Sequence, residues 1–325
     1  MRKLITLLAL VAMMSVLLVA CGDNGTTEAA TDATVTEAEA TEAADDATEA
    51  DKDAAADEDT EAADAAGEGL TGPITVVSRE DGSGTRGAFV EIVGVEDENG
   101  NDMTVGSAII GNGTDQVMTT VQGAADAIGY ISLGSLNDTV KALQIDGVDA
   151  TDDLIKEGQY PIARPFNVAT KGELSEIAQD FLDFVMSAEG QAIASDGYIS
   201  VDDNAAAYEA KEGLSGNIQV GGSTSVAPLM EKMAEEYMTL NPDVTIDIQS
   251  TGSTAGMTGA IDGTLEIGMA SRELTDEENA ELDGLVIAND GIAVIVNNDN
   301  PLTDISLENV KGIFLGEIVN WEDVQ

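Results

Sequence analysis

The stretch that decides the fold is residues 78–89, SREDGSGTRGAF. It follows an apolar run typical of a β-strand, residues 73–77, and precedes a segment that can begin a helix, residues 85–93. A Gly/Ser/Thr turn at a strand-to-helix junction exposes backbone N–H groups at the positive end of the helix dipole, where an oxyanion can bind. Arg79 adds a cation whose planar fork of donors suits phosphate or carboxylate. The stretch therefore predicts an anion site, with an ordinary glycine turn as the alternative.

The same arrangement of strand, small hydroxyl-rich turn and helix occurs twice more. GGSTS at 221–225 lies between a predicted strand at 217–220 and a predicted helix at 226–240. IQSTGSTAG at 248–256 precedes a predicted helix at 257–261. Taken alone, each turn is most often a helix N-cap. Three of them in one chain indicate that they converge on a shared ligand.

Four arginines follow the N-terminal segment, namely Arg79, Arg86, Arg164 and Arg272. Two of them flank the first loop, and Arg272 ends a predicted strand. Ligand contact is the favoured role of Arg79. For Arg86 and Arg272, an ion pair with Glu273 or another nearby carboxylate is as well supported as contact with a ligand.

The composition excludes several classes of function. The formal net charge is −49, from 13 Lys and Arg against 62 Asp and Glu, and such acidity disfavours nucleic acid and anionic membrane surfaces as partners. The chain has no His and one Cys, which excludes a Ser-His-Asp triad, His-based or thiolate metal sites and disulfides within the chain. We therefore expect no metal and no cofactor.

An enzyme is also disfavoured. The turn at residues 82–84 could be taken as a nucleophile turn around Ser83, but without His there is no ordinary base. Lys141 and Lys171 do not stand at a motif position. The sequence predicts a binding protein.

The N-terminal segments have their own signatures. Residues 1–20 have a short basic start and an apolar run, and they resemble the signal peptide of a bacterial lipoprotein, which implies that Cys21 is diacylated. Residues 21–70 are rich in Thr, Ala, Glu and Asp, and they predict a disordered acidic tether. The expected location is the extracytoplasmic face of a bacterial cell membrane, with a lipid anchor at Cys21.

From about residue 70 onward, predicted strands alternate with amphipathic helices, which predicts an α/β fold with largely parallel sheets. Two of these strands, at 284–288 and 292–296, are separated by Asp290 and Gly291. Asp-Gly pairs are typical of breaks between elements.

At the loops the resemblance to a family becomes specific. The first loop resembles the ligand loop of the phosphate-binding proteins of bacterial ABC importers. The other matching segments are GSTSVAP at 222–228, TGSTAG at 251–256, ASR at 270–272, DGIAVIVN at 290–297 and IFLGEIVNW at 313–321.

The order of these segments differs from that of the usual family member. There, the Gly-Ser-Thr loop comes first and the Asp-Gly-Ser-Gly-Thr loop follows the Phe/Trp segment. The present order indicates a circular permutation. The original ends of the chain would be joined near residues 200–217. In the usual order, the segment that ends at Val324 would continue directly into residues 72–76. Two truncated copies in tandem are the alternative, but no motif occurs twice.

The resemblance implies a two-lobed periplasmic-binding-protein-like fold of type II, with the ligand in a cleft between the lobes. The phosphate-binding domain would span 71–325. One lobe would consist of 72–160 plus 291–325 and the other of 166–290. The crossovers between them would fall near 160–163 and at Asp290-Gly291.

The resemblance also implies the function of an extracytoplasmic substrate-binding component, which binds inorganic phosphate and delivers it to an ABC permease. It implies a monomer, and it assigns phosphate contacts to residues of both lobes: Arg79, Ser83, Gly84, Thr85, Thr224, Ser225 and Ser253.

One position departs from the family. Well-known members of the family carry an Asp just after the Ala-Ser pair, which accepts the proton of hydrogen phosphate and so excludes sulfate; here that position is Arg272. We hypothesise that Asp81 accepts the proton instead, with Glu273 as another candidate. Whether Arg272 itself contacts the ligand stays open.

Two other readings remain. The chain could be a surface-anchored sensory or adhesion module on an acidic stalk. It could also keep the fold and bind a different oxyanion or a small phosphorylated compound.

Overall fold

The structure is a computed structural model that describes residues 70–324. The predicted signal peptide of residues 1–20, the lipidation at Cys21 and the predicted tether up to residue 69 lie outside the described residues. Within the described range, none of the helices has the length and apolar character needed to cross a membrane.

The described part contains a series of short strands and one long strand. They are β1 (Thr75–Arg79), β2 (Ile109–Gly111), β3 (Ala127–Ser132), β4 (Lys141–Ala142), β5 (Gln144–Ile145), β6 (Ala163–Thr170), β7 (Ile199–Ser200), β8 (Gly216–Gly222), β9 (Val244–Ser250), β10 (Ile267–Ala270), β11 (Asp283–Val296) and β12 (Asp304–Ile305).

Helices alternate with these strands along the chain. They are α1 (Gly84–Val93), α2 (Thr114–Gln122), α3 (Asp152–Lys156), α4 (Glu176–Val185), α5 (Ala188–Ala194), α6 (Ala227–Leu240), α7 (Ser253–Asp262), α8 (Asp276–Glu281) and α9 (Leu307–Leu315). Many of them begin at a Ser or Thr whose hydroxyl accepts a backbone N–H of the first turn, as Ser175 does for α4 and Ser306 for α9. Gly94 and Gly316, both with a left-handed φ, end α1 and α9.

Ten strands form one sheet with the order β2-β1-β3-β11-β6-β10-β8-β9, and β4 and β7 also pair with β11. The pairs at both ends of the sheet are parallel: β1 with β2 and β3, and β8 with β9 and β10. The middle is antiparallel, because β11 runs opposite to both β3 and β6. This alternation of helices with parallel strand pairs confirms the α/β fold predicted from the sequence.

The long central strand differs from the prediction. Residues 284–288 and 292–296 belong to one strand of 14 residues, β11, which continues through Asp290 and Gly291 with a register shift between Val286 and Ala288. Gly291 leaves room for the Ile155 side chain, since a Cβ there would lie 2.4 Å from Ile155 Cδ1. The Asp-Gly pair is thus part of a strand and not a break in the secondary structure.

Two large hydrophobic clusters lie on either side of this point. One includes Phe166, Phe181 and Ile287, and the other includes Phe89, Phe314 and Ile292. β11 contributes to both. The clusters follow the proposed lobes except at Ile199, which lies in the range 166–290 but packs in the second cluster. The exact division into lobes stays a prediction.

The first and last described segments lie side by side. The N–H of Ile74 donates to the carbonyl of Val319 at 2.9 Å, and the N–H of Trp321 donates to the carbonyl of Gly72 at 2.9 Å. A circular permutation requires this proximity of the segments around residues 72 and 324. The permutation itself stays a prediction.

Candidate functional site

The first loop connects β1 to α1. Gly82 adopts a φ of 81°, which favours glycine, and turns the chain so that the Ser83 side chain accepts the N–H of Arg86 at 3.3 Å and caps α1. Gly84 is then the first residue of the helix, and Thr85 is buried next to it. The free N–H groups of the first turn of α1 therefore lie beside the end of β1.

The second and third loops are joined to each other and to the first. The N–H groups of Thr251 and Gly252 both donate to the carbonyl of Gly222 at 2.8 Å, and the N–H of Thr254 donates to the carbonyl of Gly82 at 3.1 Å. The second loop leads into α6 and the third into α7. The structure thus brings together the three loops that the sequence singled out.

Hydroxyl groups from the loops meet in what we call the hydroxyl cluster, formed by Thr85, Thr114, Thr224 and Ser225. The hydroxyls of Thr85 and Ser225 are 2.8 Å apart, and Thr114 Oγ1 is 3.5 Å from both Thr224 Oγ1 and Ser225 Oγ. A hydroxyl can both donate and accept a hydrogen bond. These groups can therefore give up their hydrogen bonds to one another and donate to a bound anion instead.

Ser253 lies next to the hydroxyl cluster, against the first loop. A Cβ on Gly84 would lie 2.3 Å from Ser253 Oγ and 2.8 Å from Ser271 Oγ. The N–H of Ser271 donates to Ser253 Oγ at 3.2 Å, and Ser223 Oγ donates to Ser271 Oγ at 2.9 Å. The glycine at position 84 is therefore what lets the first and third loops approach so closely.

Thr114 was missed by the sequence reasoning. It begins α2 after Gly113, whose φ is 101°, and β2 precedes it. GNGT at 111–114 is the same arrangement of strand, small turn and helix N-terminus as the three loops that were recognised. With α2 included, the N-termini of α1, α2, α6 and α7 surround the site.

Arg79 is 1% exposed and lies between a carboxylate and the hydroxyl cluster. Its Nε and one terminal nitrogen donate to Glu80 at 2.8 and 2.7 Å. That same terminal nitrogen donates to Thr224 Oγ1 at 2.7 Å, and the other donates to Thr85 Oγ1 at 3.4 Å. One edge of the guanidinium is therefore fixed by Glu80, and the other faces the hydroxyl cluster.

Glu80 is held in its ionised form. Partial burial opposes ionisation, but the hydrogen bonds and charge of Arg79, together with the N–H of Gly113 at 3.0 Å, lower the pKa of this carboxyl below its usual value. Glu80 thereby connects the first loop to the N-terminus of α2. It was not singled out from the sequence, although it is adjacent to Arg79.

Asp81 lies apart from the hydroxyl cluster. Its side chain is fully exposed and pairs with Arg86 at 3.0 Å, and Arg86 also pairs with Asp102 at 2.5 Å. Arg86 thus has the ion-pair role that was one of its two alternatives. The hypothesis that Asp81 accepts the phosphate proton stays a prediction, and the structure shows no contact between this side chain and the cluster.

A cavity of about 340 Å³ opens beside the hydroxyl cluster. The hydroxyl oxygen of Ser135 is buried at this cavity and has no hydrogen-bond partner in the part of the chain that the structure describes. The cavity is lined by residues from both sides of the site: Asn112, Gly113, Thr114, Asp115, Ser135, Thr224, Ala227, Pro228, Glu231 and Ser250.

Comparison with known proteins places this chain in a family. The model of the PBP superfamily domain matches residues 45–189 and 207–325. The chain belongs to the PBP superfamily. The resemblance inferred from the ligand loops is confirmed.

Relatives and a solved structure agree with this assignment. The phosphate-binding protein PstS 2 of Streptococcus pneumoniae serotype 4 is 48% identical over 265 residues, which cover 80% of this chain and 91% of that protein. The PstS 2 of Streptococcus agalactiae serotype V is 48% identical over 260 residues, covering 78% and 88%. A crystal structure of a phosphate-binding protein of a phosphate ABC transporter from S. pneumoniae TIGR4 has a TM-score of 0.65 at 48% identity and covers 78% of this chain and all of that one.

In this PBP superfamily protein, Arg272 binds residues outside the hydroxyl cluster. Its guanidinium donates to both oxygens of Glu278, at 2.7 and 2.8 Å, and to the carbonyl of Glu273 at 2.9 Å. Burial disfavours the charge of Glu278, but the Arg272 guanidinium lowers the pKa of that carboxyl below its usual value. Arg272 therefore forms an ion pair, with Glu278 and not Glu273 as its carboxylate partner.

Proposed function

We propose that this protein is the substrate-binding component of an ABC importer and that it binds inorganic phosphate at the hydroxyl cluster. The observation that carries the proposal is the orientation of Arg79, whose two terminal nitrogens donate to hydroxyls gathered between four helix N-termini. It is supported by the relatives, which include phosphate-binding proteins and the phosphate-binding protein of a phosphate ABC transporter.

The geometry supplies both charge and directed donors for an oxyanion. Arg79 offers two donors and a positive charge, and the predicted contacts Thr85, Thr224, Ser225 and Ser253 offer hydroxyls. Ser83 and Gly84 lie at the N-terminus of α1, where backbone N–H groups favour negative charge. Thr114 adds a hydroxyl from α2 to the contacts predicted from the sequence. Fixed dipoles and a buried cation can bind an anion in a strongly acidic protein because surface charges are screened by salt.

Selectivity requires a carboxylate near the ligand. Hydrogen phosphate can donate its proton to a carboxylate, whereas sulfate cannot and is repelled. Asp81 is the acceptor that we proposed from the sequence. Glu80 is a second candidate, since one Arg79 nitrogen donates both to Glu80 and to Thr224.

The remaining assignments follow from this role. The protein acts by binding and carries out no reaction. It works as a monomer with the permease subunits of the importer, at the extracytoplasmic face of the membrane, to which a lipid on Cys21 attaches it. A surface-anchored sensory or adhesion module is less well supported, because the buried guanidinium and the clustered hydroxyls form a site suited to a small anion.

Calorimetry with phosphate, followed by sulfate competition, tests the proposal. We expect one phosphate per chain and sulfate binding weaker by at least roughly 100-fold, since an acceptor left facing an anion without a proton costs about 3 kcal/mol. An Asp81→Asn variant that discriminates as well as the parent would exclude Asp81 as the acceptor and leave Glu80 and Glu273 as the candidates. Sulfate binding as tight as phosphate binding would favour the alternative that the protein binds a different oxyanion. If neither anion binds, the proposed function is contradicted.

A further inference from the structure

A buried ion pair lies where β6 and β11 pair with each other. Arg164 on β6 is the direct neighbour of Asp290 on β11 in the antiparallel register. The Arg164 guanidinium donates to Asp290 Oδ2 at 2.9 and 3.2 Å, and both side chains are 1% exposed. The pair stands between the two large hydrophobic clusters, one of which contains Phe166 and the other Ile292.

Aromatic side chains pack against the pair. The Phe166 ring lies 5.4 Å from the Arg164 guanidinium carbon and 5.4 Å from the Tyr198 ring. Burial raises the pKa of Asp290 above its usual value, although the charge of Arg164 opposes this. Isolated charges are not tolerated in such a place, so each member of the pair depends on the other.

Arg164 also binds a residue beside the anion site, and Asp290 binds the turn that precedes Ser135. Arg164 donates to the carbonyl of Ser271 at 3.0 Å, and Ser271 in turn donates its N–H to Ser253 Oγ. On the other side, the N–H of Gly134 donates to Asp290 Oδ1 at 3.4 Å. Gly134 precedes Ser135, whose buried hydroxyl lines the cavity beside the hydroxyl cluster.

We infer that Arg164 and Asp290 are a positioning pair for the anion site, which holds the Ser271 loop and the Gly134 loop in register. Neither side chain contacts the ligand. Arg164 acts through Ser271 on Ser253, and Asp290 acts through Gly134 on Ser135. The inference rests on the proposed function, because it concerns the affinity of the same site for phosphate.

If the pair only stabilised the fold, a stable variant that lacks both members would keep the phosphate affinity of the parent. Replacing a buried ion pair by apolar side chains of similar size is often neutral for stability, whereas removing one partner is strongly destabilising. The two roles therefore separate in a double variant that restores stability but lacks the donor to Ser271 and the acceptor for Gly134.

The test compares the parent, Arg164→Met, and the double variant Arg164→Met/Asp290→Val. We expect the single change to lower Tm strongly and the double variant to return to within about 5 °C of the parent. Phosphate affinity, measured by calorimetry, should remain at least roughly 10-fold below the parent in the double variant, mainly through faster dissociation in stopped-flow measurements. Replacing the exposed pair of Lys156 and Asp203 by Met and Asn is the matched control and should leave affinity unchanged.

A double variant with the stability and the phosphate affinity of the parent would overturn the positioning role. If the double variant does not fold, Arg164→Lys decides: it keeps the charge next to Asp290 but has no planar fork to reach Ser271 as well. Parent affinity in that variant would also overturn the inference. Failure of the parent itself to bind phosphate would refute the proposed function and is distinguished by the parent titration.

Discussion

Replacing Arg79 with alanine lowers the affinity for phosphate roughly 1,000-fold, because it removes a buried cation and two charge-assisted donors worth about 2 kcal/mol each. The loss is increased by Glu80, which keeps its negative charge and loses its partner. The effect on binding exceeds that of any hydroxyl in the cluster, since a neutral donor contributes about 1 kcal/mol.

Isothermal calorimetry on Arg79→Ala measures this loss, and ligand-free thermal unfolding shows whether the variant is folded. Arg272→Ala is the matched control, because that guanidinium is held by Glu278 and makes no hydrogen bond to the hydroxyl cluster. We expect the control to bind phosphate within about threefold of the parent. A folded Arg79→Ala variant with parent affinity would show that the anion binds elsewhere.

The second large effect is expected from Gly84→Ala. The added Cβ would lie 2.3 Å from Ser253 Oγ and 2.8 Å from Ser271 Oγ, both on buried side chains. The first and third loops must then separate, and Ser253 can no longer share a ligand with Arg79. Overpacking of this kind costs about 1 to 3 kcal/mol, which corresponds to a loss of roughly 5- to 150-fold in phosphate affinity.

Gly87→Ala in the same helix is the control for Gly84→Ala. A Cβ at position 87 would meet Arg272 Cδ at 3.5 Å, an ordinary contact, so this change should keep the affinity and stabilise α1 by about 1 kcal/mol. Calorimetry on both variants gives the comparison. Equal affinities for the two would mean that the close approach at Gly84 has no part in binding.

The sequence predicted much of the site because its signals are local. The loops around Ser83, Thr224 and Ser253 each combine a strand, small residues and a helix start within a few positions. Their convergence could be inferred from their repetition. Arg79 was recognised because it stands next to such a loop, and the structure turns one edge of its guanidinium toward Thr85 and Thr224.

What the sequence did not predict depends on packing. Thr114 was not assigned to the site because the strand before it, β2, has three residues, with Ile109 and Ile110 exposed, so the strand signal is weak there. The carboxylate partner of Arg272 depends on how α8 places Glu278. The pairing of Arg164 with Asp290 joins residues 126 positions apart and follows from the register of two strands.

The long strand β11 illustrates how a local rule can fail. Asp290 and Gly291 are typical of a break, but here the aspartate pairs with a buried arginine and the glycine makes room for Ile155. Both residues are used for packing and charge within a continuous strand. Tertiary contacts therefore override the turn preference of the pair.

A crystal structure of the protein grown with phosphate tests the central claim most directly. We predict one phosphate bound to the edge of the Arg79 guanidinium that faces Thr85 and Thr224. The phosphate should lie within hydrogen-bond distance of Thr224, Ser225 and Ser253, and Glu80 should remain on the other edge. Phosphate bound away from Arg79, or a hydroxyl cluster unchanged at saturating phosphate, would contradict the claim.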